Sequence, residues 1–178
     1  MEYTLINGIK CSGIASSLPS NIKYFSDSII NSRIIIKSKK PSIDTILSIV
    51  ANSRVGNIEI IDTPVKVCRD GKVLSGKKII VELIINTQIK YRAINFGPNI
   101  CIEECNIIKT VSIVVPEIID GQKINELIRR KRYGVTSYIE DILGERINER
   151  ELGVTISILT NIDFISDNNF NIENYMEL

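Results

Sequence analysis

A chain of 178 residues with 44% apolar and 24% charged side chains is one domain's worth of sequence with enough apolar surface for a core, not a disordered polymer. Its formal net charge of +1 argues against a dedicated nucleic-acid binder or a polybasic membrane anchor. His and Trp are absent, which removes the Ser-His-Asp and Cys-His constellations and every His-based metal site. The residue chemistry therefore points away from an enzyme, and no cofactor is called for.

Composition predicts the fold class. Ile occurs 38 times, against 10 Leu and 3 Ala. With 11 Val and 8 Thr, 57 of the 178 residues are β-branched. Such side chains are stiff, favour a pleated sheet and cost entropy in a helix.

In chain order, residues 1–20 read as an N-terminal arm. Gly8, Ser12, Gly13, Ser16, Ser17, Pro19 and Ser20 interrupt any regular pattern. From Asn21 the pattern sharpens to the strand-like run Arg33–Lys37, which Lys39-Lys40-Pro41 breaks. Ser42–Leu47 reads as a short capped helical turn, because Ile43, Ile46 and Leu47 fall at i, i+3 and i+4. Val55–Ile61 and Val65–Cys68 read as strands with Asp62-Thr63-Pro64 separating them. Arg69–Lys72 is a tight-turn signal, and Gly76 is a second break.

Lys78–Ile94 alternates most clearly, with Ile79, Val81, Leu83, Ile85, Thr87, Ile89, Tyr91 and Ala93 on one face. Gly97-Pro98-Asn99 turns the chain, and Ile100–Val115 supplies one or two strands stopped by Pro116. Asp120-Gly121 is another turn, and Gln122–Tyr133 has some helical spacing. Val135–Leu143 and Arg150–Ile165 complete the strands. In the latter, Leu152, Val154, Ile156, Ile158, Ile162 and Phe164 share a face. About eight strands with at most one or two short helices predict an all-β, antiparallel sandwich or barrel-like domain over residues 21–165. Residues 166–178 read as a polar C-terminal tail. No stretch reaches the ~20 apolar residues of a transmembrane helix, and the N-terminus lacks the pattern of a signal peptide.

The four cysteines, Cys11, Cys68, Cys101 and Cys105, form no CxxC pair. On an extended strand Cys101 and Cys105 face the same side about 13 Å apart, beyond the ~7 Å that a disulfide tolerates. They are either buried reduced thiols or partners in disulfides between copies. Cys11 lies in the arm, free to reach a neighbour. The arm is either an idle terminus or a donor segment for a neighbour's sheet edge, with Tyr3, Leu5, Ile9 and Ile14 as docking anchors. Arg129, Arg130, Lys131 and Arg132 form the one basic cluster, a candidate for an anionic partner or simply a solvated helix end.

Four segments occur together in order: Lys40–Ser48 (KPSIDTILS), Ile61–Val65 (IDTPV), Leu74–Glu82 (LSGKKIIVE) continued by Gln88–Ala93 (QIKYRA), and Tyr138–Ile142 (YIEDI) followed by Arg150-Glu151-Leu152. In order and spacing they resemble the SPOCS domain, a spore coat and stability module of endospore-forming bacteria, over residues 22–165. Residues 96–115 depart from the family pattern, keeping only Ile113-Val114-Val115-Pro116.

The resemblance implies a non-enzymatic structural protein made in the mother-cell cytoplasm and deposited on the spore surface as coat, exosporium or appendage. Its expected partners are itself, as homo-oligomer or polymer, and other spore-envelope proteins. Sheet edges, the arm and intermolecular disulfides would join the copies. The alternative is a morphogenetic adaptor that docks another coat protein without polymerising.

Overall fold

A computed structural model of the chain describes residues 3–67, 73–94 and 99–165. The strands are β1 (Thr4–Ile6), β2 (Ile9–Ser12), β3 (Tyr24–Ile35), β4 (Ile43–Val67), β5 (Val73–Ala93), β6 (Ile100–Val115), β7 (Ile118–Ile119) and β8 (Gln122–Lys123). A six-residue helix, α1 (Ile124–Arg129), precedes β9 (Tyr133–Arg146) and β10 (Glu151–Phe164). One sheet has the order β1-β2-β4-β5-β6 and the other β3-β10-β9, with β7 and β8 as a small hairpin. The fold is all-β and sandwich-like; the sheets do not close into a barrel. Pairing is antiparallel except for β2 on β4, which is parallel.

The alternation read in the sequence forms the core. Ile79, Val81, Leu83, Ile85, Ile89 and Tyr91 on β5 are fully buried. They share one core with Leu152, Val154, Ile156, Ile158 and Ile162 of β10. Ile119, Ile124 and Leu127 join it from the segment after β6. α1 begins where Ile124 N–H donates to Glu117 O. At its other end Arg130 N–H donates to Glu126 O and Arg132 N–H to Leu127 O.

Three local expectations are corrected. Ser42–Leu47 is no helical turn, since β4 starts at Ile43. Register shifts between Ile43 and Thr45, and again between Ile46 and Ser48, each insert a residue into the pleat. Ile43, Ile46 and Ile49 therefore all point inward at a spacing of three, which imitates a helix in sequence. Asp62-Thr63-Pro64 does not break the strand either. β4 absorbs it as a further irregularity, between Asp62 and Val65, and β5 likewise runs through Gly76. Asp120 and Gly121, at φ 48° and 79°, make the turn of the β7–β8 hairpin. The turn expected at 69–72, most of Gly97-Pro98-Asn99 and the tail after Ile165 lie outside the described residues.

Candidate functional site

The sandwich has two lateral seams. Along one, β4 and β9 run side by side in opposite directions. Arg146 Nη1 donates to Asp44 O at 3.1 Å near one end. Further along, the Ser53 and Ser137 hydroxyls share a hydrogen bond of 2.7 Å. Between these points the strands approach closely at Gly144, where a Cβ would lie 2.2 Å from Ile49 Cδ1.

The N-terminal arm fills this stretch of the seam. Asn7 and Gly8, at φ 50° and 81°, turn β1 back on β2, with Ile6 opposite Ile9. An Asn-Gly pair between short apolar runs is a strong hairpin signal, and it identifies the element that a reading of Gly8 as a mere interruption misses. β2 then pairs with β4: Lys10 with Ser48, Cys11 with Ile49 and Ser12 with Val50. Ile9 and Cys11 are buried in the core. The Cys11 sulfur donates to Ile142 O of β9 at 3.4 Å. β2 is thus bound to β4 by its backbone and to β9 by its side chains.

The arm leaves the seam at Gly13. Its φ is +99°, and a Cβ there would sit 1.8 Å from Ala51 O, so only glycine fits this backbone-to-backbone approach. Two residues later Ala15 N–H donates to Ile139 O at 2.8 Å, as the chain crosses toward the other sheet. Of the expected anchors, Ile9 is buried and Ile14 packs half-buried against the core, while Tyr3 and Leu5 stay exposed. The Lys10 ammonium sits 4.9 Å from the Tyr3 ring centroid. A cleft of about 460 Å³ borders the arm, lined by Tyr3, Thr4, Cys11 and residues 12–16.

Cys101 and Cys105 lie on the inward face of β6, opposite Tyr91 and Thr87, with Glu103 between them. Both are half-buried, and Cys11, Cys101 and Cys105 are all free thiols. Burial, and secondarily the charge of Asp141, pushes the Cys11 thiol up from its ordinary value. Burial and Glu103 do the same for Cys105. Both are therefore poor thiolates in place, and thiolate is the form that exchanges. Cys68 lies outside the described residues.

Arg129, Arg130 and Lys131 are exposed at the end of α1, and Arg132 is half-buried. They stand at a helix C-terminus, where positive charge complements the backbone dipole.

Segments singled out by sequence meet in space. Tyr91 Oη donates to Pro41 O at 3.2 Å, and Arg92 Nε donates to Asp44 at 2.7 Å. Arg150 Nη1 donates to Lys40 O. Lys40 Nζ reaches the buried Glu103 carboxylate at 2.5 Å and Ile102 O at 2.8 Å. Lys77 pairs with Asp62, joining the second and third motifs. These contacts brace one end of the sandwich and the long β4–β5 ribbon.

No family model, no curated protein and no solved structure matches this chain. Among the described residues no helix is long and apolar enough to cross a membrane.

Proposed function

We propose that this chain is a non-enzymatic structural protein that self-associates, serving as a component of a bacterial spore envelope such as a fibre, coat or exosporium layer. The observation that carries self-association is the placement of the β1–β2 hairpin. It completes its sheet through only three register pairs with β4 and a few core anchors. It connects to the rest of the domain through a crossing segment, residues 13–23. The same seam in a second copy offers the same contacts, so exchange of the hairpin converts an internal contact into one between copies without new interface chemistry. The exposed Ile100, Ile102 and Ile108 on β6, an outermost strand of the same sheet, add apolar surface on that sheet's outer face.

The spore assignment rests on the four motif segments. Cys11 is out of its seam only while the hairpin is undocked, before it seats in a second copy. A small-molecule disulfide in an oxidising envelope could then accept two electrons and two protons from thiols of two copies, leaving a covalent link.

Negative-stain electron microscopy of the purified chain, with and without reductant, tests the proposal. Regular fibres or sheets are expected, and they should be lost when residues 1–12 are removed. Particles of single-domain size in both conditions would overturn the polymer reading. Antibody labelling of intact spores against mother-cell lysate tests the location.

A further inference from the structure

Asn-Gly occurs once in the chain, at Asn7-Gly8, and it forms the tip of the β1–β2 hairpin. Both residues are exposed. A Cβ built on Gly8 would meet nothing within 4 Å, so no neighbour shields its backbone nitrogen. The Asn7 carboxamide has no hydrogen-bond partner among the described residues. Glycine in second place lets its backbone nitrogen approach the preceding side-chain carbonyl, because it lacks the Cβ that crowds that approach.

The turn opposes this approach while it is closed. Asn7 and Gly8 are held in the left-handed region, at φ 50° and 81°, and ring closure needs the Gly8 nitrogen behind the Asn7 side chain, so the turn must open first. Little holds it closed. β1 is three residues long and joins β2 through three register pairs. Thr4 and Leu5 are exposed, and Ile6 alone of β1 packs against the core. A short, exposed edge strand opens locally at much lower cost than a long ladder. Asn31-Ser32 and Asn52-Ser53 offer the contrast. Asn31 faces Thr155 in β3 and accepts its hydroxyl at 2.8 Å, and Asn52 pairs with Asn86 inside the β4–β5 ladder.

We propose that Asn7 is a site of spontaneous deamidation and that the product undocks β1. The Gly8 nitrogen attacks Cγ of Asn7, and the new N–C bond closes a five-membered imide. The C–N bond of the carboxamide breaks, and its nitrogen leaves as ammonia with the Gly8 proton. Water then opens the imide at either carbonyl. Opening at Cγ leaves an aspartate. Opening at the backbone carbonyl leaves an isoaspartate, whose main chain runs through the former side chain. Nothing is oxidised or reduced, and a neutral amide becomes a carboxylate on both routes. Isoaspartate also lengthens the backbone by one methylene, so a two-residue turn no longer sets Ile6 opposite Ile9. β1 then leaves the sheet, Ile9 and Cys11 keep β2 anchored in the core, and the outer edge of β2 is bared. This proposal stands independently of self-association, because every step occurs within one copy.

Ageing the full chain in mildly alkaline buffer, followed by peptide mapping with mass spectrometry, tests it. Asn7 should gain one mass unit at least about tenfold faster than Asn31 and Asn52, with isoaspartate among the products. Amide hydrogen exchange should then show the β1–β2 pairing losing protection in the aged chain while β10 keeps its own. Asn7→Gly suits the left-handed turn and has no amide to lose, so its hairpin should stay protected through the same treatment. The proposal is overturned if Asn7 remains intact when a free peptide of residues 4–12 has converted, or if Asn7 converts and the β1–β2 protection is unchanged. Equal loss of that protection in the aged Asn7→Gly variant overturns it as well.

Discussion

The Cys11 sulfur donates a hydrogen bond to the carbonyl oxygen of Ile142, 3.4 Å away and 131 positions later in the chain. This contact ties the second strand to the edge of the opposite sheet and makes the thiol a reporter of whether the hairpin is docked. Cys11 has no exposed surface, whereas Cys101 and Cys105 are half-buried. Under native conditions, alkylation should therefore modify Cys101 and Cys105 before Cys11. Mass mapping of the modified chain checks the order, and Cys11 reacting first would mean that the hairpin is undocked.

Gly13→Ala should loosen the arm. The added Cβ would meet Ala51 O, and the left-handed backbone is costly for alanine. A loss of about 1–3 kcal/mol is expected, together with faster alkylation of Cys11. Chemical denaturation and the alkylation rate should move together. A variant of unchanged stability with Cys11 still protected would show that the approach to Ala51 can relax.

Gly144→Val tests the seam from the other side. Its side chain would displace Ile49 and crowd Ile9, and overpacking a filled core costs about 1–3 kcal/mol. The melting temperature should fall, with hydrogen exchange rising first in β2 rather than in β10. Ile156→Ala, in the middle of the core, should cost about 2–5 kcal/mol and raise exchange globally.

Lys40→Met should cost more than the matching Glu103→Gln. Removing the ammonium leaves the nearly buried Glu103 carboxylate without its ion-pair partner, whereas the amide has no charge to bury. The expected gap is about 1–3 kcal/mol, read from denaturation midpoints. Equal midpoints for the two variants would contradict the assignment.

Alkaline pH should destabilise the fold. Burial, with Cys101 and Glu103 as lesser causes, pushes Tyr91 up to about 12, and Cys11 and Cys105 are also raised. Groups raised in the folded state ionise first in the unfolded one, so their contribution is full at neutral pH. It falls once the unfolded thiols titrate near 9 and the unfolded tyrosine near 10, and is lost by about 12. Tyr91→Phe should flatten the upper end of that decline while losing the bond to Pro41. At the acid end, Arg92 beside Asp44 holds that carboxyl below its ordinary value. That contribution is present at neutral pH and is lost as the pH falls through the folded value. Melting temperatures from about pH 3 to 11 check both limbs.

Much of the architecture is readable from single residues. Ile79 to Tyr91 and Leu152 to Ile162 alternate because each strand has one face toward apolar surface and one toward water. That pattern survives in sequence wherever the ladder is regular. It fails at Ile43, Ile46 and Ile49, because bulges in β4 replace the period of two by three. The pairing of Lys40 with Glu103 gave no sequence signal, since nothing local relates two residues 63 positions apart.

The sequence by itself determined the β class and the main core faces, because strand alternation is a local property of a few neighbouring residues. Only the tertiary structure decided that the arm lies on its own sheet, parallel to β4, and that Cys11 is buried against Ile142. It alone decided that β4 and β9 meet at Ser53 and Ser137. Those outcomes depend on which distant strands come together along the seam, and no local pattern carries that choice.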